Sequence, residues 1–289
     1  MAKRLLVTGA SGFLGRRIAE FYSGEYEVCA PDHGEMDITH RESVRKVFHD
    51  YKPHYIVHTA AVSDVGTCEK EPEKSWAINV DGSRNIAFAS AELHAKCVIC
   101  SSDQIYFGSR LPGPHKEEES VRPMNVYGRE KKRAEEECLE QNPECVLLRL
   151  SWMYDSETKS EYEHGDFLRT LVSGLGAGRA LAYPVNDVRG ITDVKEVVRN
   201  IEKSWELCGG VYNFGSSNDR NTYETVLAMF TELGWDVGRL LRNEEAFADN
   251  PRDISMCMEK LNDCGIAFSS TLDGLVRNMK NGNKCLHME

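Results

Sequence analysis

Two side chains that could move a proton together, Tyr127 and Lys131, lie four positions apart in the segment NVYGREKKRAEEE. Residues with this spacing share one face of an α-helix. A phenol ordinarily loses its proton at about pH 10, and an adjacent ammonium group favours the phenolate. We therefore predict that Lys131 lowers the pKa of Tyr127, so that the phenol can act as a general acid or base. Gly128 is expected to leave room beside Tyr127 for a ligand. Taken alone, however, a tyrosine and a lysine four residues apart are also typical of a solvated helix.

Two hydroxyls that could hold a substrate carbonyl end the apolar run KCVICSS and begin the segment SSDQIY, residues 101–106. Ligands of doubly wound folds bind at the carboxyl ends of the strands. Ser102 is therefore our candidate for contact with a substrate carbonyl, and Ser101 is expected to lie closer to a cofactor.

A glycine-rich turn, VTGASGFLG, contains Gly9, Gly12 and Gly15 between a predicted strand and a predicted helix. In this context the glycines allow a tight turn, close approach of a pyrophosphate and close packing of the helix on the strand. The helix N-terminus favours phosphate through its N–H groups and its dipole. The residues predicted to contact a dinucleotide are Gly9, Ser11, Gly12, Phe13, Leu14, Gly15, Asp32, Asp37, Ile38, Ala60, Ala61, Ser101, Tyr127 and Lys131.

The choice between NAD and NADP stays open on the sequence. Asp32 ends the second predicted strand, where a carboxylate accepts hydrogen bonds from an adenosine ribose and favours NAD. His33, Arg16 and Arg17 are close in sequence and could instead accept a 2′-phosphate. Asp32 could also simply cap a turn.

These residues are expected to be positioned by an α/β, doubly wound parallel sheet, because short apolar runs alternate with helical patterns. The predicted strands are residues 5–9, 27–32, 54–61, 96–102, 145–151 and 211–214. One long helix is predicted over residues 72–95. We expect a dinucleotide-binding Rossmann domain over residues 1–154 plus about 181–219, and a smaller substrate-binding lobe over about 155–180 plus 220–289.

Composition excludes several classes of function. The chain has 289 residues, 41% hydrophobic and 28% charged, with a formal net charge of −11. This charge argues against nucleic acid and anionic membranes as partners. No apolar run reaches the roughly 20 residues of a membrane span, so a cytoplasmic location is expected. Cys97 and Cys100 form a C-x-x-C, but on a strand they point to opposite faces, so we predict buried cysteines and no metal.

The chain resembles the extended short-chain dehydrogenase/reductases, and within them the dTDP-4-dehydrorhamnose reductase branch. The segments that carry the resemblance are TGASGFLG (8–15), TAAVSDVGTCEKEP (59–72), AINVDG (77–82), SSDQIY (101–106), PHKEEESVRPMNVYGREK (114–131), LRLSWMY (148–154) and PRDISMCMEKL (251–261).

The resemblance implies an enzyme that reduces a 4-keto nucleotide sugar with NADH or NADPH. It implies that Tyr127 is the general acid, that Lys131 orients it and binds the nicotinamide ribose, and that Ser102 binds the keto oxygen. Ser63, Asp103 and Trp152 would meet the sugar nucleotide, although Trp152 could equally be a core aromatic. The resemblance supports no metal and allows a homodimer.

Two alternatives remain beside the reductase. Related dehydratases carry Asp-Glu where this chain has Asp103 and Gln104, and an amide cannot act as a carboxylate acid or base, so dehydration is disfavoured. A nucleotide-sugar epimerase of the same superfamily is one alternative. A non-catalytic regulatory subunit that keeps the fold and binds NAD(P) is the other.

Overall fold

The computed structural model describes residues 3–157 and 166–286, with side chains described through residue 281. It divides into two compact units. The first runs through Ile105 and adds Val121–Arg149 and Val198–Tyr212, while the second comprises Tyr106–Ser120, Leu150–Val197 and the chain from Asn213 onward. The predicted Rossmann boundaries differ from those of the first unit, because residues 106–120 and 181–197 belong to the second.

The strands and helices of the described residues follow each other in an alternating order. The strands are β1 (Arg4–Thr8), β2 (Glu27–Cys29), β3 (Tyr55–His58), β4 (Lys96–Ser102), β5 (Val146–Leu150), β6 (Trp152–Tyr154), β7 (Leu181–Pro184), β8 (Asp187–Val188), β9 (Ile191–Asp193), β10 (Gly210–Phe214), β11 (Leu240–Asn243) and β12 (Arg252–Asp253). The α-helices are α1 (Phe13–Tyr22), α2 (Arg41–Tyr51), α3 (Val65–Lys70), α4 (Pro72–Trp76), α5 (Ser83–Glu92), α6 (Val126–Gln141), α7 (Phe167–Gly176), α8 (Val194–Ser204), α9 (Thr222–Leu233), α10 (Glu259–Asp263) and α11 (Thr271–Leu286).

Six strands form the central sheet in the order β10-β5-β4-β3-β1-β2. β1 pairs in parallel with β2 and β3, and β3 pairs in parallel with β4. The prediction of an α/β, doubly wound parallel sheet is confirmed. The strand order reverses between β1 and β3, and such a switch point is where ligands bind in open α/β sheets.

Apolar side chains of the helices cover the sheet of the first unit, as expected for strands with continuous apolar sequences. Leu6 of β1, Ile56 of β3 and Ile99 of β4 belong to one buried cluster with Phe48 of α2 and Ile86 of α5. Because α2 and α5 pack on these strands, they hold in place the edge of the sheet at which the predicted site residues lie.

The long helix predicted over residues 72–95 is present and runs without interruption to Glu92, but its middle is π-helical. α4 ends at Trp76, a π-helical segment spans Ala77–Gly82, and α5 begins at Ser83. The Asn79 side chain within that segment bonds both backbone groups of Val62, a long-range contact that local helical periodicity does not contain. Wide turns of this kind occur often at functional sites.

The second unit has its own core, in which Tyr154, Leu171, Met229, Phe230 and Leu275 are all buried. α9 begins with a capping box between Asn221 and Glu224, and Gly234 ends it in the left-handed conformation. Both caps satisfy backbone groups that a helix leaves open at its ends. No helix among the described residues combines the length and apolar character that a membrane crossing requires.

Candidate functional site

The glycine-rich turn between β1 and α1 is built for close backbone contact. Gly9 has a φ of +69°, and a Cβ there would lie 2.7 Å from the amide nitrogen of Ala60. A Cβ on Gly15 would lie 2.4 Å from the carbonyl oxygen of Gly9. α1 therefore starts directly against the end of β3, with its N-terminus at the switch point of the sheet.

A cavity of about 480 Å³ opens at this switch point. Its lining residues come from the ends of β1, β2 and β3 and from the π-helical segment: Thr8, Gly9, Ala10, Ser11, Gly12, Ala30, Pro31, Asp32, His33, Met36, Ile38, Thr59, Ala60, Ala61, Val62 and Ile78. The structure thus brings together seven of the residues predicted to contact a dinucleotide, namely Gly9, Ser11, Gly12, Asp32, Ile38, Ala60 and Ala61. Phe13, Leu14, Gly15, Asp37, Ser101, Tyr127 and Lys131 lie outside this lining.

Asp37 directs its carboxylate into its own turn. Oδ1 accepts hydrogen bonds from the amide and the hydroxyl of Thr39 at 2.9 and 2.7 Å, and Oδ2 lies 2.8 Å from Nδ1 of His40. The hydrogen bond from the Thr39 hydroxyl is the main cause that lowers the pKa of Asp37. This carboxylate therefore stabilises its own turn. The next residue, Ile38, lines the cavity.

Asp32 both caps a turn and lines the cavity. Oδ1 accepts hydrogen bonds from the amides of Gly34 at 2.7 Å and Glu35 at 3.0 Å, so the side chain does cap a turn. The same residue lines the cavity. Arg17 is buried with its guanidinium 4.1 Å from the ring centre of Phe13, which removes it from the set that could meet a 2′-phosphate.

Tyr127, Lys131 and Ser102 come together where α6 packs beside the end of β4. Asn125 caps α6 by accepting a hydrogen bond from the amide of Gly128 at 2.6 Å. The Tyr127 phenol has a side-chain hydrogen bond with Ser102. The Lys131 ammonium donates to the carbonyl oxygen of Cys100 at 3.0 Å and lies 5.7 Å from the centre of the Tyr127 ring.

The predicted lowering of the Tyr127 pKa by Lys131 is wrong. Burial dominates and raises the pKa of the phenol well above its usual value, while the hydrogen bond with Ser102 acts in the opposite direction. Burial also lowers the pKa of Lys131. A phenol is protonated near neutral pH even without the upward shift of its pKa, so Tyr127 is in the form that a proton donor needs, and burial makes it a weaker acid.

Gly128 serves the backbone and leaves no room for a ligand, contrary to the prediction. A Cβ there would lie 2.5 Å from the carbonyl oxygen of Gln104 and 2.9 Å from Oδ1 of Asn125. The Gln104 side chain is engaged as well, since its Oε1 accepts a hydrogen bond from Nδ2 of Asn125 at 2.9 Å. Gln104 thus anchors the start of α6 at the position where related dehydratases carry a carboxylate.

Ser101 turns its hydroxyl toward α6, where it donates to Oε1 of Glu135 at 2.6 Å. Arg149 of β5 holds the same carboxylate with two hydrogen bonds, from Nε at 3.0 Å and from Nη2 at 2.7 Å. This buried group ties β4, β5 and α6 together. Sequence reasoning missed it, although Glu135 lies four residues beyond Lys131 on the same helical face.

The residues predicted to meet the sugar are divided between the two units. Asp103 is buried in the first unit, where Oδ1 accepts a hydrogen bond from the Ser102 hydroxyl at 3.3 Å, and Ser63 is exposed just after the cavity-lining segment. Trp152 belongs to β6 of the second unit and is 38% exposed. Its ring stands edge-on to Phe167 and lies 5.1 Å from the guanidinium carbon of Arg189, so it is not a fully buried core aromatic.

The C-x-x-C cysteines face different surroundings. Cys97 lies against Cys145, whereas the charge of Lys131 acts on Cys100, whose pKa burial raises to about 12. Across residues 3–157 and 166–281, no three or more His, Cys, Asp or Glu side chains form a group that could hold a metal ion.

Comparison with known proteins agrees with this geometry. The chain is 30% identical over 239 residues to dTDP-4-dehydrorhamnose reductase of Aggregatibacter actinomycetemcomitans, covering 79% of each chain. It is 32% identical over 167 residues to methionine adenosyltransferase 2 subunit beta of Pongo abelii, a match that covers 55% of this chain and 49% of that one.

The crystal structure of dTDP-4-dehydrorhamnose reductase from Bacillus anthracis str. Ames, in complex with NADP, superposes with a TM-score of 0.85. The sequences are 26% identical, and the match covers 97% of this chain and 100% of the other. The RmlD substrate binding domain family matches residues 3–267. The resemblance to this branch of the extended short-chain dehydrogenases/reductases is thus confirmed, and the chain belongs to the RmlD substrate binding domain family.

Proposed function

We propose that this protein reduces a 4-keto nucleotide sugar with NADH or NADPH, as the names of its reductase relatives suggest. The observation that carries the proposal is that the Tyr127 phenol lies beside the Ser102 hydroxyl, where α6 packs on β4. A keto oxygen that gains negative charge needs both a proton and a hydrogen-bond donor. The pair Tyr127 and Ser102 supplies both.

The cavity at the switch point fits a dinucleotide. Gly9 and Gly15 allow no Cβ because atoms of the protein fill that space, so the turn packs tightly and α1 begins at the cavity. The N–H groups at this helix N-terminus favour a pyrophosphate. Asp32 lines the end of the cavity where a ribose diol would bind. When bound, the reduced dinucleotide supplies the hydride.

The protein's own residues handle the proton. The Tyr127 hydroxyl donates its proton to the keto oxygen, and the Ser102 hydroxyl donates a hydrogen bond to the same oxygen. Lys131 is held by the Cys100 carbonyl, so its positive charge lies beside the phenol when the phenolate forms. That charge favours the phenolate and eases a proton transfer that burial alone would oppose.

Substitution of Tyr127 tests the proposal. We expect Tyr127→Phe to lower kcat for NADH or NADPH oxidation, followed by absorbance with a dTDP-4-keto sugar, by about 100-fold or more. Tyr22→Phe is the matched control, because it removes another buried phenol, one that bonds the Val198 carbonyl at 2.8 Å. Full turnover by Tyr127→Phe would contradict the assignment of the acid. An enzyme that interconverts sugars while its NAD returns unchanged would be an epimerase.

A regulatory subunit is the second candidate, and the match to methionine adenosyltransferase 2 subunit beta favours it. Under that function the cavity would bind a dinucleotide without turnover of any keto sugar. Sedimentation with a purified methionine adenosyltransferase catalytic subunit distinguishes the two. A stable complex and no NADH oxidation would replace the reductase by this candidate.

We further propose that the first unit binds the dinucleotide and that the second is the substrate-binding lobe. Among the residues proposed to contact the sugar, Ser63 and Asp103 belong to the first unit and Trp152 to the second. A cytoplasmic location and a homodimer complete the proposal. Light scattering of the purified protein measures the assembly, and a monomer mass would exclude the dimer.

A further inference from the structure

A second carboxylate on α6 is buried between Tyr127 and Lys131 in the sequence. Glu130 is 1% exposed. Its Oε2 accepts a hydrogen bond from Nδ2 of Asn79 at 2.7 Å, and its Oε1 accepts one from the Ser75 hydroxyl. A buried carboxylate is costly unless such donors surround it. Asn79 and Ser75 therefore stabilise the buried Glu130 carboxylate.

The Asn79 side chain, in the π-helical segment, contacts Val62 as well as Glu130. Its Oδ1 accepts a hydrogen bond from the Val62 amide at 2.8 Å, and its Nδ2 also donates to the Val62 carbonyl at 3.0 Å. The Cys68 thiol donates to the same carbonyl at 3.4 Å. Both backbone groups of Val62 are therefore held by side chains from beyond its own loop.

The Glu130 carboxylate and the two Val62 backbone groups favour the same orientation of the Asn79 amide. A carboxylate only accepts hydrogen bonds, whereas the two ends of an asparagine amide differ, one donating and the other accepting. With Nδ2 facing Glu130, Oδ1 faces the Val62 amide. A reversed amide would set its oxygen against the carboxylate and its NH₂ group against the Val62 N–H.

Val62 lines the dinucleotide cavity, together with Ala60 and Ala61 before it and Ile78 beside Asn79. We propose that Glu130 is a positioning residue, which fixes the cavity wall 60–62 through Asn79 and links that wall to the helix that carries Tyr127 and Lys131. This inference rests on the proposed function, because it takes the cavity to be a dinucleotide site.

Three variants separate positioning from general stability. Glu130→Leu removes the acceptor, whereas Glu130→Gln keeps an oxygen for Asn79 and gains an NH₂ group that can face Ser75. Glu137→Leu is the control on the same helix, since Glu137 pairs with Arg84 at 3.0 Å and Arg133 at 2.9 Å and does not line the cavity. Each purified variant is titrated with NADH and with NADPH, and hydrogen exchange is measured at the Val62 amide.

We expect Glu130→Leu to weaken dinucleotide binding about tenfold, the usual effect of losing a hydrogen bond to a charged group, and to speed exchange at Val62. Glu130→Gln should bind within about threefold of the unmodified protein, and Glu137→Leu should lower the melting temperature without changing either readout. Unchanged binding or unchanged exchange in Glu130→Leu would overturn the inference, as would equal losses in Glu130→Leu and Glu137→Leu. Unmodified protein that binds neither dinucleotide would instead remove the proposed function, and this inference with it.

Discussion

The buried ion pair between Glu135 and Arg149 should be among the most sensitive points of the first unit. We consider the substitution Arg149→Met, which fills similar space without a charge. It leaves the Glu135 carboxylate with the Ser101 hydroxyl at 2.6 Å but without the two guanidinium bonds at 3.0 and 2.7 Å. Both side chains of the pair are only 6% exposed, so water cannot replace the lost partner.

The expected loss follows from that burial. Removing one partner of a buried ion pair costs about 3–5 kcal/mol, because the remaining charge stays in a medium of low polarity. Folded proteins are stable by only about 5–15 kcal/mol, so Arg149→Met should remove a large share of the free energy of unfolding. Removing both charges in Arg149→Met/Glu135→Leu should cost less, about 1–2 kcal/mol, because no charge of the pair is then left buried without its partner.

Urea unfolding followed by tryptophan fluorescence measures these differences, with buried Trp205 as a reporter within the first unit. Arg45→Met is the control, because Arg45 pairs with Glu92 at 2.8 Å at the surface, where an ion pair contributes little. The reasoning fails if Arg149→Met shifts the urea midpoint no more than Arg45→Met does. It also fails if the double variant is less stable than either single variant, because uncompensated charge would then not be the cause.

Three further changes test other parts of the structure. Gly15→Ala should abolish dinucleotide binding in a fluorescence titration, since its Cβ would lie 2.4 Å from the Gly9 carbonyl oxygen. Asp32→Asn keeps the oxygen that caps the turn but removes the charge, so the ratio of kcat/KM for NADPH to that for NADH should rise about threefold in steady-state kinetics. Burial lowers the pKa of His58 to about 3, so the unfolded chain binds the proton first. Stability should therefore fall as pH drops from about 6.5 toward 3, by up to about 1.4 kcal/mol per pH unit, and urea midpoints should fall less steeply with pH in His58→Gln.

The parallel sheet could be predicted because its signal is local. β4 occupies residues 96–102, as the apolar run KCVICSS predicted. A strand covered on both faces reads as a continuous apolar segment. The π-helical segment between α4 and α5 was not predicted, since the local apolar period does not report the contact of its Asn79 with Val62, seventeen residues away in sequence. The predicted domain boundaries stay a prediction, and residues 106–120, which the first unit lacks, carry no regular apolar period.

The candidate site could likewise be predicted only in part. The glycine turn and Asp32 were found because motif and element order identify the switch point of the sheet. The direction of the Tyr127 pKa shift was wrong, because spacing reports which charge is near but not how deeply the phenol is buried. Gly128 was misread for a related reason, since the atom that fills its space is the Gln104 carbonyl from outside the helix.

Helix α6, which carries the proposed catalytic side chains Tyr127 and Lys131, buries charged groups as well as apolar ones. Glu130 faces Asn79 of the π-helical segment, Lys131 faces the Cys100 carbonyl of β4, and Glu135 faces Arg149 of β5. Lys131 and Glu135 share one face of the helix, and Glu130 lies on another, so the partners hold α6 from two sides. A rotation or a slide of α6 would separate at least one buried charge from its partner, which costs several kcal/mol, whereas apolar contacts tolerate small shifts. The charged composition that resembles a solvated helix is therefore what can hold the Tyr127 hydroxyl to one position beside Ser102.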